Sequence, residues 1–215
     1  MTAVTAHRGL RPDKRAAILD AARTTFATMG FTRATIDTIA AAADVSTRTI
    51  YKHFRNKEEL FATVLETSAR AVADDYVVSV RAGLEHAATL EDRLRVLADA
   101  ATKHALGHPE HFAMMGRIAG ERDHLPPGAL DAWRDAGPRR VERETAAQLR
   151  ALHEEGLLEI PDTARAVRHL FALTAVDHRP LGEPPPTARA VRAAVDAGIE
   201  VFARGYAPRR AAPET

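Results

Sequence analysis

Residues 30–60 read GFTRATIDTIAAAADVSTRTIYKHFRNKEEL, and two short helical patterns lie within them. Thr35 stands just before the first apolar positions, where a threonine side chain can cap a helix N-terminus. Asp44 begins a turn, and Ser46 is a second good N-cap residue. The helix that Ser46 opens runs to about Phe54. These residues therefore predict a helix, a tight turn and a second helix.

The second of these helices has one apolar and one polar side. Ile50 and Phe54 share a face that we expect to pack inward, whereas the opposite face is polar. A helix after such a turn can enter the major groove of DNA, which is about 12 Å wide and admits one helix. Each polar residue alone could be an ordinary solvated side chain, but together they predict contacts to base edges and phosphates. The candidates are Thr47, Arg48, Tyr51, Lys52 and His53, with Lys57 of the next helix as a phosphate contact.

Charge is distributed unevenly along the chain. Residues 1–57 contain ten Lys and Arg and four Asp, a net charge of +6, whereas residues 58–215 carry −5. The net charge of the whole chain, +1, hides this contrast. A compact basic segment joined to a mildly acidic body is typical of a module that binds a polyanion. The charge pattern therefore favours double-stranded DNA as the partner of the N-terminal segment.

The rest of the chain has helical periodicity and lacks the alternating pattern of strands, so we expect an all-α fold. A three-helix N-terminal DNA-binding domain with the helix-turn-helix should cover residues 1–57, of which 1–10 form a flexible arm. A larger helical domain should cover residues 58–207, with a loop over residues 177–186. Residues 208–215 should be a frayed tail.

The composition excludes several functional classes. The chain has 46% hydrophobic residues, enough to bury a core, and no cysteine for a disulfide, a thiolate nucleophile or a zinc ligand. No apolar run approaches the ~20 residues of a membrane span, so we expect a cytoplasmic protein without membrane contact. A phosphate-binding glycine loop, a nucleophile elbow and a distinctive carboxylate pair are all missing. We therefore do not expect an enzyme.

Three histidines are the strongest candidates for a metal site. His104, His108 and His111 are spaced by four and three residues, which would place them on one face of a continuous helix. Pro109 interrupts that helix, and only Glu110 could complete a ligand set. We therefore expect neither a metal nor a cofactor.

The N-terminal segment resembles the DNA-binding domain of the TetR/AcrR family. Residues 12 to about 66 carry the resemblance, and the helical pattern that follows is similar in length and order to the family's ligand-binding and dimerisation domain. The family usually has glycine where this chain has Asp44. If this turn position needs the left-handed backbone region, aspartate tolerates it better than most residues, at some cost relative to glycine. The matching residues are Gly30-Phe31-Thr32-Arg33-Ala34-Thr35, Ile39-Ala40, Val45-Ser46, Thr49-Ile50-Tyr51, His53-Phe54 and Lys57-Glu58-Glu59-Leu60.

The resemblance implies a function. It implies that Thr35 contacts a backbone phosphate, beside the DNA contacts named above. It also implies a homodimer on a palindromic operator and a small-molecule effector that releases the protein from DNA. We therefore expect a ligand-responsive repressor, and the alternative is a DNA-binding regulator that a partner protein controls.

Two C-terminal helices are apolar on more than one side, which predicts burial against two partners. One partner would be the body of the domain and the other a second subunit, as in the four-helix interface that the resemblance implies. A deeply buried internal helix would show the same pattern. Ala193, Ala197 and Gly198 would permit close approach of the subunits. The predicted interface residues are Leu170, Val191, Val195, Ile199 and Phe202.

Aromatic, methionine and aliphatic side chains of the larger domain could line a cavity for an apolar or aromatic effector. Ordinary core packing is the alternative for each of them. The predicted pocket residues are Phe112, Met115, Ile118, Trp133, Leu149, His153 and Phe171, with Met114 as a further candidate.

Overall fold

The computed structural model describes residues 13–175 and 187–208, and all regular secondary structure within these ranges is helical. This confirms the predicted all-α fold. A 3₁₀ turn, Arg122–His124, follows the sixth helix. The α-helices are α1 (Lys14–Arg33), α2 (Ile36–Ala42), α3 (Thr47–His53), α4 (Lys57–Leu84), α5 (Leu90–Gly107), α6 (Pro109–Ala119), α7 (Ala129–Ala136), α8 (Pro138–Glu154), α9 (Thr163–Thr174) and α10 (Ala188–Gly205).

The chain divides into two compact units. The described part of the first unit comprises residues 13–67 and 110–130, and the rest of the described chain forms the second unit. The first unit therefore holds α1 to α3, the start of α4 and nearly all of α6. The domain predicted over residues 58–207 thus contributes a segment to the unit that contains the helix-turn-helix.

Helix α1 bends at Gly30. The helical backbone that begins at Lys14 is interrupted at Gly30, which has the non-helical values φ 80° and ψ 177°, and a short helical segment then continues to Arg33. A glycine followed by an apolar residue is a signal for the end of a helix, and the interruption lies at that glycine. Phe31, just after the bend, packs its ring 4.7 Å from that of Phe61, and Phe61 lies 4.9 Å from Phe26. The bend therefore turns Phe31 into the core of the first unit, where all three rings are buried.

The core of the second unit lies among α4, α5, α8, α9 and α10. Leu94, Leu97 and Leu149 are fully buried there. Helices α9 and α10 approach closely at Gly198, since a Cβ atom at that position would lie 2.1 Å from the carbonyl oxygen of Leu173. The expectation that Gly198 serves the approach of a second subunit is therefore wrong, because its α9-facing side is filled by the same chain.

Three predicted segments lie wholly or largely outside the described residues: the arm over residues 1–10, the loop over residues 177–186 and the tail over residues 208–215. In the described ranges, no helix combines the length and the apolar character needed to cross a membrane.

Candidate DNA-binding site

Helix α3 is anchored by its apolar side. Ile50 is fully buried and Phe54 is 3% exposed. The guanidinium carbon of Arg15 in α1 lies 5.4 Å from the centre of the Phe54 ring, a cation–π contact that adds to this anchor. The helix is short, so these contacts hold it in place where its own hydrogen bonds could not.

The opposite side of α3 is exposed. Arg48, Lys52 and His53 are exposed, and Tyr51 is 55% exposed although it is a large aromatic residue. Thr47 is half-buried at the first position of the helix. The structure therefore brings together, on one helical surface, five of the seven residues predicted to contact DNA.

The turn before α3 fixes the direction of this surface. Asp44 has φ 51°, the left-handed region that the resemblance to the family suggests for this position. The Val45 N–H donates to the Ala40 carbonyl at 3.0 Å, and the Ser46 hydroxyl accepts from the Thr49 N–H at 3.2 Å. The N–H groups of Val45 and Thr49 on either side of the turn are thus paired, and aspartate is one of the residues that adopt the left-handed conformation at modest cost.

Thr35 has a structural role that the sequence also predicts. Its hydroxyl accepts a hydrogen bond from the Thr38 N–H at 3.1 Å, and the Thr38 hydroxyl accepts one from the Thr35 N–H at 3.1 Å. This reciprocal pair is a capping box that starts α2. Thr35 remains exposed, so a phosphate contact through its side chain stays a prediction.

Lys57 is engaged within the protein. Its ammonium donates to the carbonyl oxygens of Phe31 and Ala34, both at 3.1 Å, and lies 4.4 Å from the centre of the Phe31 ring. A phosphate would have to share the ammonium with these two acceptors. The sequence missed this role because it depends on residues 23 and 26 positions away.

Nearby, Arg55 pairs with Glu59 one helical turn away. The backbone N–H of Arg55 and its guanidinium Nε donate to the same carboxylate oxygen of Glu59, at 2.8 and 2.9 Å. The backbone hydrogen bond from Arg55 and then its side chain lower the pKa of Glu59. This pair fixes the connection from α3 to α4 and leaves Arg48 and Lys52 as the basic groups of α3 itself.

The predicted effector pocket is divided between the two units. Phe112, Met115 and Ile118 lie on α6 in the first unit, and the other four residues lie in the second. Ile118 and Leu149 are buried, whereas Phe112 is 41% exposed. Met114, the further candidate, is fully buried.

His153 and Trp133 differ in their hydrogen bonding. His153 Nδ1 lies 3.0 Å from the Leu158 carbonyl and 3.3 Å from the Ile160 N–H, so this nitrogen serves the backbone after α8. The indole Nε1 of Trp133 is buried and has no hydrogen-bond partner within the described chain. A buried N–H donor without an acceptor is costly, by about 1–3 kcal/mol, and therefore stands out in an otherwise satisfied fold.

A polar cluster that the sequence missed lies in the second unit. The Tyr76 hydroxyl and the Thr145 hydroxyl are 2.7 Å apart and buried, and burial raises the pKa of Tyr76 to about 12. The His104 and Phe171 rings meet the Tyr76 ring edge-on, with centroids 5.8 and 6.5 Å away. Burial, followed by the charge of His108, lowers the pKa of His104 to about 4. Phe171 is thus the only residue of the predicted pocket that these ring contacts place beside the cluster.

The three candidate histidines, His104, His108 and His111, are not grouped into a metal site in the part of the chain that the structure describes. His104 and His108 have ring centroids 6.0 Å apart, and His108 Nε2 pairs with Asp75 at 2.7 Å. His104 and His108 belong to the second unit, whereas His111, which follows Pro109, belongs to the first. Over residues 13–175 and 187–208, no group of three or more potential ligands could hold a metal ion.

The predicted dimer-interface residues are mostly internal. Leu170, Val195, Ile199 and Phe202 are buried in the core of the second unit, so they cannot offer their side chains to a second subunit without leaving that core. Val191 is half-buried. This corrects the predicted list, because the apolar residues of α9 and α10 pack within the same subunit. Helix α9 packs on α8 and α10, and α10 packs on α5 and α9.

Other residues of α9 and α10 are exposed and apolar. Leu173 is 38% exposed and Val201 is 56% exposed. Both line a groove of about 380 Å³, together with Arg165, His169 and Tyr206. The Tyr206 hydroxyl lies 2.9 Å from His169 Nδ1, so a polar pair borders this apolar surface.

Comparison with known proteins connects these features to a family. The family model for bacterial regulatory proteins of the tetR family matches residues 18–64, and the model for the C-terminal domain of AefR-like transcriptional repressors matches residues 92–208. Together they cover the helix-turn-helix and most of the second unit.

Curated relatives are also regulators. The HTH-type transcriptional repressor SCO4008 of Streptomyces coelicolor is 32% identical over 130 residues, 54% of this chain and 67% of that protein. The HTH-type transcriptional activator FasR of Mycolicibacterium smegmatis is 32% identical over 115 residues, 54% of this chain and 49% of that protein. The HTH-type transcriptional regulator YhgD of Bacillus subtilis is 42% identical over 55 residues. That match covers 26% of this chain and 29% of YhgD.

Solved structures agree over nearly the whole chain. A protein described as a TetR-family transcriptional regulator from Mesorhizobium loti has a TM-score of 0.77 and 27% identity, covering 90% of this chain and 96% of that one. The flavonoid-responsive regulator FrrA has a TM-score of 0.71 and 28% identity, covering 92% and 98%. With two family models matched and the fold shared over about 90% of the chain, the chain belongs to the TetR family of transcriptional regulators.

Proposed function

We propose that this regulator acts in the cytoplasm as a homodimeric repressor that binds a palindromic operator and is released by a small-molecule effector. Regulators of the TetR family bind DNA and are not enzymes. The observation that carries the proposal is the exposed polar surface of α3, where Arg48, Tyr51 and Lys52 project from a helix whose other side is anchored. Such a surface can contact phosphates and base edges at once.

Selection from random DNA identifies the operator. Duplexes selected by the purified protein from a random-sequence library should converge on two inverted half-sites about one helical turn apart. Binding should fall steeply with salt concentration, because each subunit displaces condensed counterions from DNA. Failure of the library to converge, with no salt-sensitive binding, would refute the DNA-binding part of the proposal.

A homodimer is supported by the exposed side of α10. Ala190, Ala194, Ala197 and Val201 are all exposed and recur at intervals of three and four residues, a stripe along one side of the helix. With Leu173 of α9, they form an apolar surface that a monomer would leave in water. We assign the dimer contact to this surface in place of the buried residues of the same helices.

An effector with aromatic rings and oxygen acceptors is supported by two features of the second unit. The Trp133 N–H is a buried donor without an acceptor in the described chain, and the cluster of Tyr76, Thr145 and His104 places polar groups within an apolar core. FrrA, a similar structure, is named for its response to flavonoids. A flavonoid is therefore a suitable first probe.

The probe should change Trp133 emission and weaken binding to the selected duplex, since coupling between two sites is reciprocal in free energy. Trp133→Phe removes the N–H and keeps a ring, and we expect it to weaken release by about 2- to 10-fold, the effect of one hydrogen bond. Leu106→Ala, which changes an exposed residue, is the control. Emission changes without any change in DNA affinity would instead favour control by a partner protein.

Repression is the direction of control that we propose, although the relatives include both a named repressor and a named activator. Transcription in vitro from a promoter that overlaps the selected site tests it. Added protein should lower the transcript level, and a higher level would identify an activator.

A further inference from the structure

Two carboxylates hold the segment around α6 to α1 within the first unit. At the start of α6, Glu110 Oε2 accepts from Arg23 Nε at 2.7 Å, and Glu110 Oε1 accepts from the Thr24 hydroxyl at 3.3 Å. Beyond the end of α6, Glu121 Oε2 accepts from the backbone N–H of Thr32 at 2.9 Å. One attachment therefore lies in the first turn of α6 and the other just beyond its end, and they reach the middle and the end of α1.

Gly30 makes room for the second attachment. A Cβ atom at position 30 would lie 2.3 Å from Glu121 Oε1, closer than non-bonded atoms can approach. Gly30 also has φ 80°, which other residues rarely adopt. The bend in α1 thus creates both the exposed N–H of Thr32 and the space that the Glu121 carboxylate occupies.

Lys57 binds the same segment through two backbone carbonyl groups of that segment. Its ammonium donates to the carbonyls of Phe31 and Ala34, one residue to each side of Thr32 and Arg33. Residues 30–34 are therefore bound at three backbone groups. The Glu121 carboxylate accepts from one N–H, and the Lys57 ammonium donates to two carbonyls. Helix α2 begins at Ile36, directly after this segment and the Thr35 cap.

We propose that Glu121 is a positioning residue for DNA recognition: with Lys57 it fixes residues 30–34 and so sets the orientation of α2 and α3. The proposal rests on the proposed function and identifies a route for its regulation. Three predicted pocket residues, Phe112, Met115 and Ile118, lie on α6 between Glu110 and Glu121. An effector that displaces α6 would pull on the carboxylate that holds the start of the helix-turn-helix.

The test compares Glu121→Ala, Glu121→Gln and Asp123→Ala in the full chain. Asp123 is exposed and lies two residues away in the 3₁₀ turn, so its loss removes the same charge without removing the Thr32 contact. Affinity is measured for the selected duplex and for a random duplex at one salt concentration. Hydrogen exchange of the Thr32 amide is measured without DNA.

We expect Glu121→Ala to reduce the ratio of selected to random affinity by about tenfold, within the range of typical coupling between sites. A misaligned α3 still reaches phosphates but loses its register with the bases, so the random duplex should be affected less. The Thr32 amide should exchange faster. Glu121→Gln keeps an acceptor oxygen and should recover most of the ratio, and Asp123→Ala should behave as wild type.

Faster Thr32 exchange with an unchanged affinity ratio would overturn the proposal and leave Glu121 a purely structural residue. Unchanged Thr32 exchange would overturn it as well. If Glu121→Ala does not fold, Glu121→Asp takes its place, because it keeps the charge and shortens the side chain that accepts from the Thr32 N–H by one methylene group. A lower ratio for Glu121→Asp than for Asp123→Ala then supports the proposal, and equal ratios overturn it. A wild-type protein without sequence preference would refute the proposed function and the positioning role together, whereas loss of preference only in the Glu121 variants separates the two.

Discussion

Helix α3 in the first unit and helix α10 in the second differ in where their predicted functional residues lie. Most of those of α3 are exposed, whereas most of those of α10 are buried. In α3, the residues predicted to act are polar, and the structure leaves Arg48 and Lys52 exposed. In α10, the residues predicted to act are apolar, and the structure buries Val195 and Ile199 in the subunit's own core. A polar residue opposite an apolar face has one natural place, at the surface. An apolar residue can face either its own core or a partner, and the pattern alone does not separate the two.

We expect the largest change in stability when a charge is introduced on the buried side of α10, and this variant tests the comparison most directly. Val195→Glu places an unpaired carboxylate in the core, and we expect a loss of roughly 4 kcal/mol or more in the free energy of unfolding. Urea denaturation followed by circular dichroism measures it.

Val201→Glu is the matched control, because Val201 lies on the same helix and is 56% exposed. It should leave the subunit folded and shift sedimentation from dimer to monomer. A stable Val195→Glu dimer would show that this side of α10 is not the core, and a dimeric Val201→Glu would show that the interface lies elsewhere.

The next effect tests the close crossing of α9 and α10. Gly198→Ala places a methyl group against the backbone carbonyl of Leu173, and we expect it to destabilise the fold by roughly 1–3 kcal/mol, since backbone atoms cannot yield easily.

Gly116→Ala is its control. Gly116 lies within α6 and a Cβ atom there would meet nothing within 4 Å. Because alanine favours helix over glycine, this variant should be more stable by up to about 1 kcal/mol. Equal thermal stability of Gly198→Ala and Gly116→Ala would contradict the close approach of α9 and α10 at Gly198.

A third prediction sharpens the α3 side of the comparison. Arg48→Ala should cost roughly 1–3 kcal/mol in binding the selected duplex and relax the preference at one position of each half-site, if the guanidinium contacts a base edge. Tyr51→Phe removes one hydroxyl and should weaken all duplexes alike. Binding to duplexes with single substitutions measures both. An equal loss on all sequences for Arg48→Ala would assign it to phosphate alone.

The smallest effect concerns pH and the polar cluster of the second unit. The pKa of His104 is lowered to about 4 by burial and by His108, and the nearby Asp75 opposes this shift. The unfolded chain therefore binds the proton more tightly, and stability should be lost as pH falls from about 6.5 through 4. After allowance for partial exposure, we expect about 1–2 kcal/mol.

Urea denaturation at pH 7 and pH 4.5 measures this loss, and His104→Gln should reduce it. His86→Gln, which changes an exposed histidine outside the polar cluster, should not. An unchanged difference between the two pH values in His104→Gln would assign the pH dependence to other groups.

Much of the first unit follows from interactions between residues that are close in sequence. Thr35 caps α2 three residues ahead of its partner, Ser46 caps α3 in the same way, and Asp44 supplies a left-handed turn. Caps and turns of this kind join atoms a few residues apart, so their signals survive in the linear sequence. The helix-turn-helix and its exposed polar face were therefore predictable.

Contacts between residues that are distant in sequence could not be predicted from the sequence. Lys57 reaches back to Phe31, Glu121 reaches the N–H of Thr32 89 residues earlier, and α9 meets α10 at Gly198. No local pattern marks an ammonium that will find two carbonyls instead of a phosphate, or an apolar stripe that will face its own core instead of a partner. These choices depend on which segments the folded chain brings together, because hydrogen bonding and burial are decided by proximity in space.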